Sequence, residues 1–195
     1  MFWQDKATSL PNNLVPAQKR FGFLERKLRA NGEAHEGFKK VIDGYINAEP
    51  PMARCMTVEE ARTTSERTCY LPMHLVTNPN KPGKIRVVND AAAVFMGESL
   101  NSNLITGPDL LISCVFDRIP LRSVNTKDAD SLRFLWKEDI HSNSPPDTYQ
   151  MLMHVFGAKD SPGCANYALK RKRELQGTML SSSTDSRHGV FCMSM

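Results

Sequence analysis

The sequence predicts an α+β fold in which antiparallel strands are flanked by helices. Three observations point there: helical periodicity fills the first third, two strand–turn–strand patterns follow, and a capped turn near residue 160 feeds a further helix. With 195 residues, 41% of them hydrophobic and 24% charged, the chain has the makings of a domain with a buried core, which excludes a wholly disordered tail.

A first helix is signalled by Pro16 at a starting position and by Phe21, Leu24 and Leu28 on one face, with Asn31-Gly32 as the stop. A second is expected from Ala34 to Ala48, with Phe38, Val41, Ile42, Tyr45 and Ile46 inward and Pro50-Pro51 ending it. Thr57-x-x-Glu60 has the form of a capping box opening a short third helix. Tyr70 to Val76 and Lys84 to Asp90 are expected as strands around a turn, Thr77 to Gly83, rich in Pro, Asn and Gly. A helix near Pro108 follows, with Thr106 as its N-cap. The second hairpin has strands Leu132 to Trp136 and Tyr149 to Val155; Tyr149, Met151, Met153 and Val155 alternate with Gln150, Leu152 and His154, so one side is expected to be buried. Asp160 or Ser161 then caps a helix with Pro162 in its first turn, running into Lys170 to Arg173. This divides the chain into a helical lead-in (1–66), a strand-rich unit (67–175) and a tail (176–195) of low complexity.

The formal net charge of +4 and a pI near 8.8 permit a nucleic-acid partner without requiring one. Five scattered cysteines, with no Cys-x-x-Cys pair, argue for free thiols rather than a disulfide framework or a zinc ribbon. The five histidines show no metal-ligand spacing. Neither a signal peptide nor a membrane-length apolar run is visible, so the expected location is intracellular, away from any membrane.

Two stretches carry chemistry. Asn78 to Val88 is a hairpin with Lys81 at its tip and Arg86 on its second strand, suited to neutralising a triphosphate through a point charge and a two-pronged fork. The plain alternative is a solvated edge strand on which Lys discourages aggregation. Phe156-Gly157, followed by Ser161-Pro162 at a helix start, would let backbone approach a nucleotide or template strand closely and favour anionic groups. Its plain alternative is a capped helix after a strand.

Taken together, YLPMHLVTNPNKPGKIRVVNDAAAVFMGESLNSNLITGPDLL (Tyr70 to Leu111), DADSLRFLW (Asp128 to Trp136) and YQMLMHVFGAKDSPGCANYAL (Tyr149 to Leu169) resemble the reverse transcriptase of BEL/Pao-type LTR retrotransposons. LPNNLVPAQKRFGFLERKL, from Leu10, is similar to the lead-in those polyproteins carry before the fingers, so the resemblance covers roughly Leu10 to Leu169 in the family's order. It implies a fingers and partial-palm fold. By that likeness Lys81 and Arg86 contact the phosphates of an incoming deoxynucleotide, and Phe156 and Gly157 shape its pocket. Ser161, Pro162 and Asn166 lie against the template, and the partners implied by the resemblance are an RNA or DNA template-primer, a deoxynucleotide and the rest of the retrotransposon polyprotein. Asn89 departs from the family's phenylalanine, and Asp90 matches the acid closing the strand.

The parent enzyme uses Mg²⁺ held by carboxylates. One of these would lie on a strand between Leu111 and Leu132, where only residues 112–131 are available. Asp117 is the acid nearest that place, but Phe116-Asp117-Arg118-Ile119-Pro120 matches poorly and Pro120 opposes a central strand. The other two come from an Asp-Asp hairpin, and the sequence contains no Asp-Asp pair. The expectation is therefore a palm that is incomplete and a chain without its own catalytic or metal-binding residues. Three readings stay open: a polymerase fragment without turnover, a polymerase completed by another chain, and a non-enzymatic nucleic-acid-binding module.

Overall fold

Helix α1 (Leu14–Arg29) buries Ala17, Phe21, Leu24 and Leu28, a stripe at i, i+4, i+7 and i+11 that faces the interior. Pro16 lies in its first turn, where a missing N–H is harmless. Asn31, expected as part of the stop, caps the next helix instead: its Oδ1 accepts from the Ala34 N–H at 2.9 Å. Helix α2 accordingly spans Gly32–Ile46 rather than 34–48, and buries Ala34, Phe38 and Ile42. The computed structural model describes residues 1–5, 9–78, 81–106, 124–155 and 157–161, with the backbone alone at 78, 81–84 and 126.

A strand that periodicity does not announce follows the two prolines. Strand β1 (Ala53–Cys55) is three residues long, too short for alternation to register. Helix α3 (Val58–Arg62) opens on the expected capping box, with Thr57 Oγ1 accepting from the Glu60 N–H and the Glu60 carboxylate accepting from the Thr57 N–H. Strands β2 (Met73–Asn78) and β3 (Lys81–Asn89) form an antiparallel pair, with Leu75 opposite Val87 and Val76 opposite Arg86. Both are displaced from the expected ranges. Tyr70 and Leu71 leave the hairpin because they run beside another strand, the Leu71 N–H reaching the Arg133 carbonyl at 2.7 Å. Residues 81–83, expected in the turn, are strand.

A short helix, α4 (Thr126–Ala129), and a 3-10 turn lead into β4 (Arg133–Trp136), and β5 (Asp147–Met151) returns alongside it. The strand order is β1-β5-β4, all antiparallel. Strand β5 is covered on both faces: Tyr149, Gln150 and Met151 are all buried, and so are Met153, His154 and Val155 beyond it. The expected one-sided burial fails for that reason, and the strand ends four residues early. The chain is thus a mixture of helices and antiparallel sheets.

One apolar cluster joins the lead-in to the rest, from Leu10 through Phe38 and Trp136 to Ala158. Phe38 of α2 stacks on Trp136 of β4 with centroids 5.2 Å apart, and Phe134 stacks on Tyr149 at 5.4 Å. The two-stranded hairpin would be marginal alone and leans on α2. Gly37 permits this, since a Cβ there would strike the Ile85 side chain of β3. Two described cations enter the interior with acidic partners. Arg133 is 1% exposed and donates to Asp130 and to the Thr63 carbonyl, both at 2.8 Å. Lys137 meets Glu25 of α1 at 2.8 Å. Burial raises the Glu25 pKa, but hydrogen bonds from Lys137 and Arg29 prevail and hold it below its usual value.

Among the described residues, Cys55 is an exposed free thiol and Cys69 a buried one, pushed up to about 12 by burial against a weaker opposing hydrogen bond with Asn13. No described helix is long and apolar enough to cross a membrane.

Candidate nucleotide and nucleic-acid interface

The hairpin places Arg86 in the middle of β3 with its side chain exposed, and Lys81 at the strand's tip end opposite Asn78. At about 3.4 Å per residue the two positions lie up to ~17 Å apart along the strand. Arg86, Val88, Val76 and His74 share one side of the ladder. Met73, Leu75, Val87 and Asn89 share the other, and Met73, Val87 and Asn89 are buried.

At the base of the hairpin the chain closes tightly. The Asp90 N–H donates to the Pro72 carbonyl at 2.8 Å, and the Asp90 carboxylate meets Arg20 of α1 at 2.9 Å. Here the turn at Gly157 arrives from far along the sequence. Gly157 has φ +115°, and the space a Cβ would need is filled by the backbone carbonyl oxygen of Asn89. Only glycine satisfies both conditions. The close contact that the missing Cβ allows at Gly157 is with β3, where the expectation was a nucleotide or template strand.

Asn101 locks this junction. Its Nδ2 donates to the Gly157 carbonyl at 2.9 Å, its Oδ1 accepts from the Lys159 N–H at 2.7 Å, and its own N–H donates to the Ala91 carbonyl at 2.9 Å. Sequence reasoning missed this residue; an Asn within Leu100-Asn101-Ser102-Asn103-Leu104 is a turn signal, but nothing local names its partners. Asn13 was missed likewise: it pairs with both backbone groups of Tyr70, donating to the carbonyl at 2.9 Å and accepting from the N–H at 2.7 Å.

Beyond Gly157, Asp160 is fully buried and accepts from the Phe2 N–H at 3.0 Å. His154 Nδ1 lies 3.9 Å from Asp160 Oδ1. Burial lowers the His154 pKa, and the opposing pull of Asp160 does not restore it. Ser161 is buried with its hydroxyl donating to the Val155 carbonyl at 2.8 Å. The structure thus brings together the Arg86 strand, Gly157 and Ser161. Phe156, Pro162, Asn166 and Asp117 lie outside the described residues, as do the helix expected near Pro108, the basic run 170–173 and the tail.

Among the described residues no three His, Cys, Asp or Glu side chains converge where they could hold a metal ion. The sequence holds no Asp-Asp pair of the kind found in the enzymes it resembles. No protein-family model and no curated protein matches the chain.

Proposed function

We propose that this chain is a fingers and partial-palm fragment of a BEL/Pao-type retrotransposon reverse transcriptase. It keeps surfaces for a deoxynucleotide and a template and does not polymerise by itself. The observation that carries the reading is the seating of the Gly157 turn on the Asn89 carbonyl at the base of the basic hairpin. The two motifs to which the resemblance gives nucleotide contact are distant in sequence, and a shared pocket requires them to be neighbours. Arg86 supports it further, since it is exposed and has no ion-pair partner among the described residues.

Primer extension on an RNA template with Mg²⁺ or Mn²⁺ tests the lack of turnover; measurable incorporation by the purified chain would refute it. Binding to an RNA–DNA hybrid should weaken as salt rises, because phosphate contacts release counterions. Lys81→Ala with Arg86→Ala should weaken triphosphate or hybrid binding at an unchanged melting temperature. A lowered melting temperature with binding intact would make the hairpin purely structural. Hybrid binding that depends on these cations without any response to deoxynucleotide would favour the non-enzymatic module.

A further inference from the structure

The outer face of α1 does not enter the reading above. Phe23 is 67% exposed, anomalous for a large ring on a helix whose other aromatic, Phe21, is buried. Its neighbours on the helix surface, three and four residues to either side, are Lys19, Arg20, Arg26 and Lys27. All four are exposed cations. Helix α1 holds five cations against one acid, Glu25, a surplus equal to the formal net charge of the whole chain. Glu25 is itself engaged by Arg29 and Lys137, so it neutralises none of the four around Phe23.

The ring is half prepared for a ligand. The Arg26 guanidinium lies over Phe23 at 4.6 Å from its centroid, forming a flat platform of cation and arene. Beside it runs an open groove of about 280 Å³ between α1 and β2, lined by Arg20, Phe23, Lys27, His74, Leu75 and Asp90. Its one acid, Asp90, is paired with Arg20.

We infer that this face of α1 binds single-stranded nucleic acid, with a base stacked on Phe23 and the flanking phosphates held by Lys19 and Lys27. The ring selects the occupant. An acidic peptide would satisfy the cations and leave Phe23 in water, and a duplex keeps its bases inside the stack. An unpaired strand offers phosphates and exposed π-faces together. The site is separate from Lys81 and Arg86 and does not rest on the polymerase reading.

Fluorescence anisotropy of the full chain with labelled oligo(dT) and oligo(rU) tests it. Phe23→Ala should weaken binding of both by about tenfold. Phe23→Trp should preserve affinity, and its emission should be quenched as oligonucleotide is added. Lys19→Ala with Lys27→Ala should flatten the dependence of log K on log salt by about 1.4, roughly 0.7 per lost phosphate contact. Circular dichroism melts should coincide for all variants, because the altered side chains are exposed. Unchanged affinity of Phe23→Ala, or poly-glutamate binding as tightly as the oligonucleotides, overturns the inference. Arg86→Ala in the same titration keeps the two sites distinguishable, since it alters the hairpin and leaves α1 intact.

Discussion

Gly157 and Asp128 show how single residues are committed by distant partners. At Gly157 a methyl group would meet the Asn89 backbone oxygen, with φ already at +115°. Backbone cannot swing aside as a side chain can, so Gly157→Ala should cost about 2–3 kcal/mol or more, read by urea denaturation. An unchanged midpoint would mean that the turn relocates freely. Asp128 accepts from Trp3 Nε1 at 2.9 Å, the Met1 amine at 3.1 Å and Arg67 at 2.8 Å, with the Arg67 guanidinium stacked over the Trp3 ring. Burial raises its pKa, but these hydrogen bonds and the amine's charge outweigh it and hold the carboxyl below the usual 3.8. A lowered folded pKa stabilises fully above the unfolded value and is lost as pH falls through the folded one. Asp128→Asn should therefore cost about 2 kcal/mol near neutral pH. The gap between the two melting temperatures should begin to narrow below about pH 4; a gap that stays constant to pH 3 would show that the charge is irrelevant.

At the scale of elements, capping was the most legible feature. Thr57-x-x-Glu60 needs only residues three apart, and both reciprocal bonds are present. Thr57→Ala should cost about 1 kcal/mol, and a melting temperature lowered only when Glu60 is intact would show that the two act as one box. Strand limits were less legible. Tyr70-Leu71 has the composition of β2 but bonds to β4, and the Lys81–Lys84 segment has the composition of a turn but pairs as strand. Composition describes what a segment tolerates; hydrogen-bond partners decide where a strand begins. The same limit applies to β5, whose residues on both faces are buried by groups distant in sequence.

Across the whole molecule, the helical lead-in is a structural part of the sheet region, not an appendage. It supplies β1 to the three-stranded sheet and Phe38 to the stack on Trp136. Phe38 is fully buried, so Phe38→Ala should cost about 3–5 kcal/mol and unfold helix and sheet in one transition, followed by far-UV and tryptophan signals. Two separated transitions would show instead that the lead-in folds on its own. The candidate site was legible to the extent that Arg86 and Gly157 could be named, while their meeting at Asn89 could not be foreseen. By itself the sequence determined the α+β composition, the inward stripes of α1 and α2, the capping box, the basic hairpin and the lack of an Asp-Asp pair, because each depends on neighbours along the chain. Only the tertiary structure decided that β1 exists, that Arg133, Lys137 and Asp128 are buried with partners, and that Gly157 rests on β3. Desolvation and pairing are set by groups dozens of residues away, which no local stretch of sequence contains.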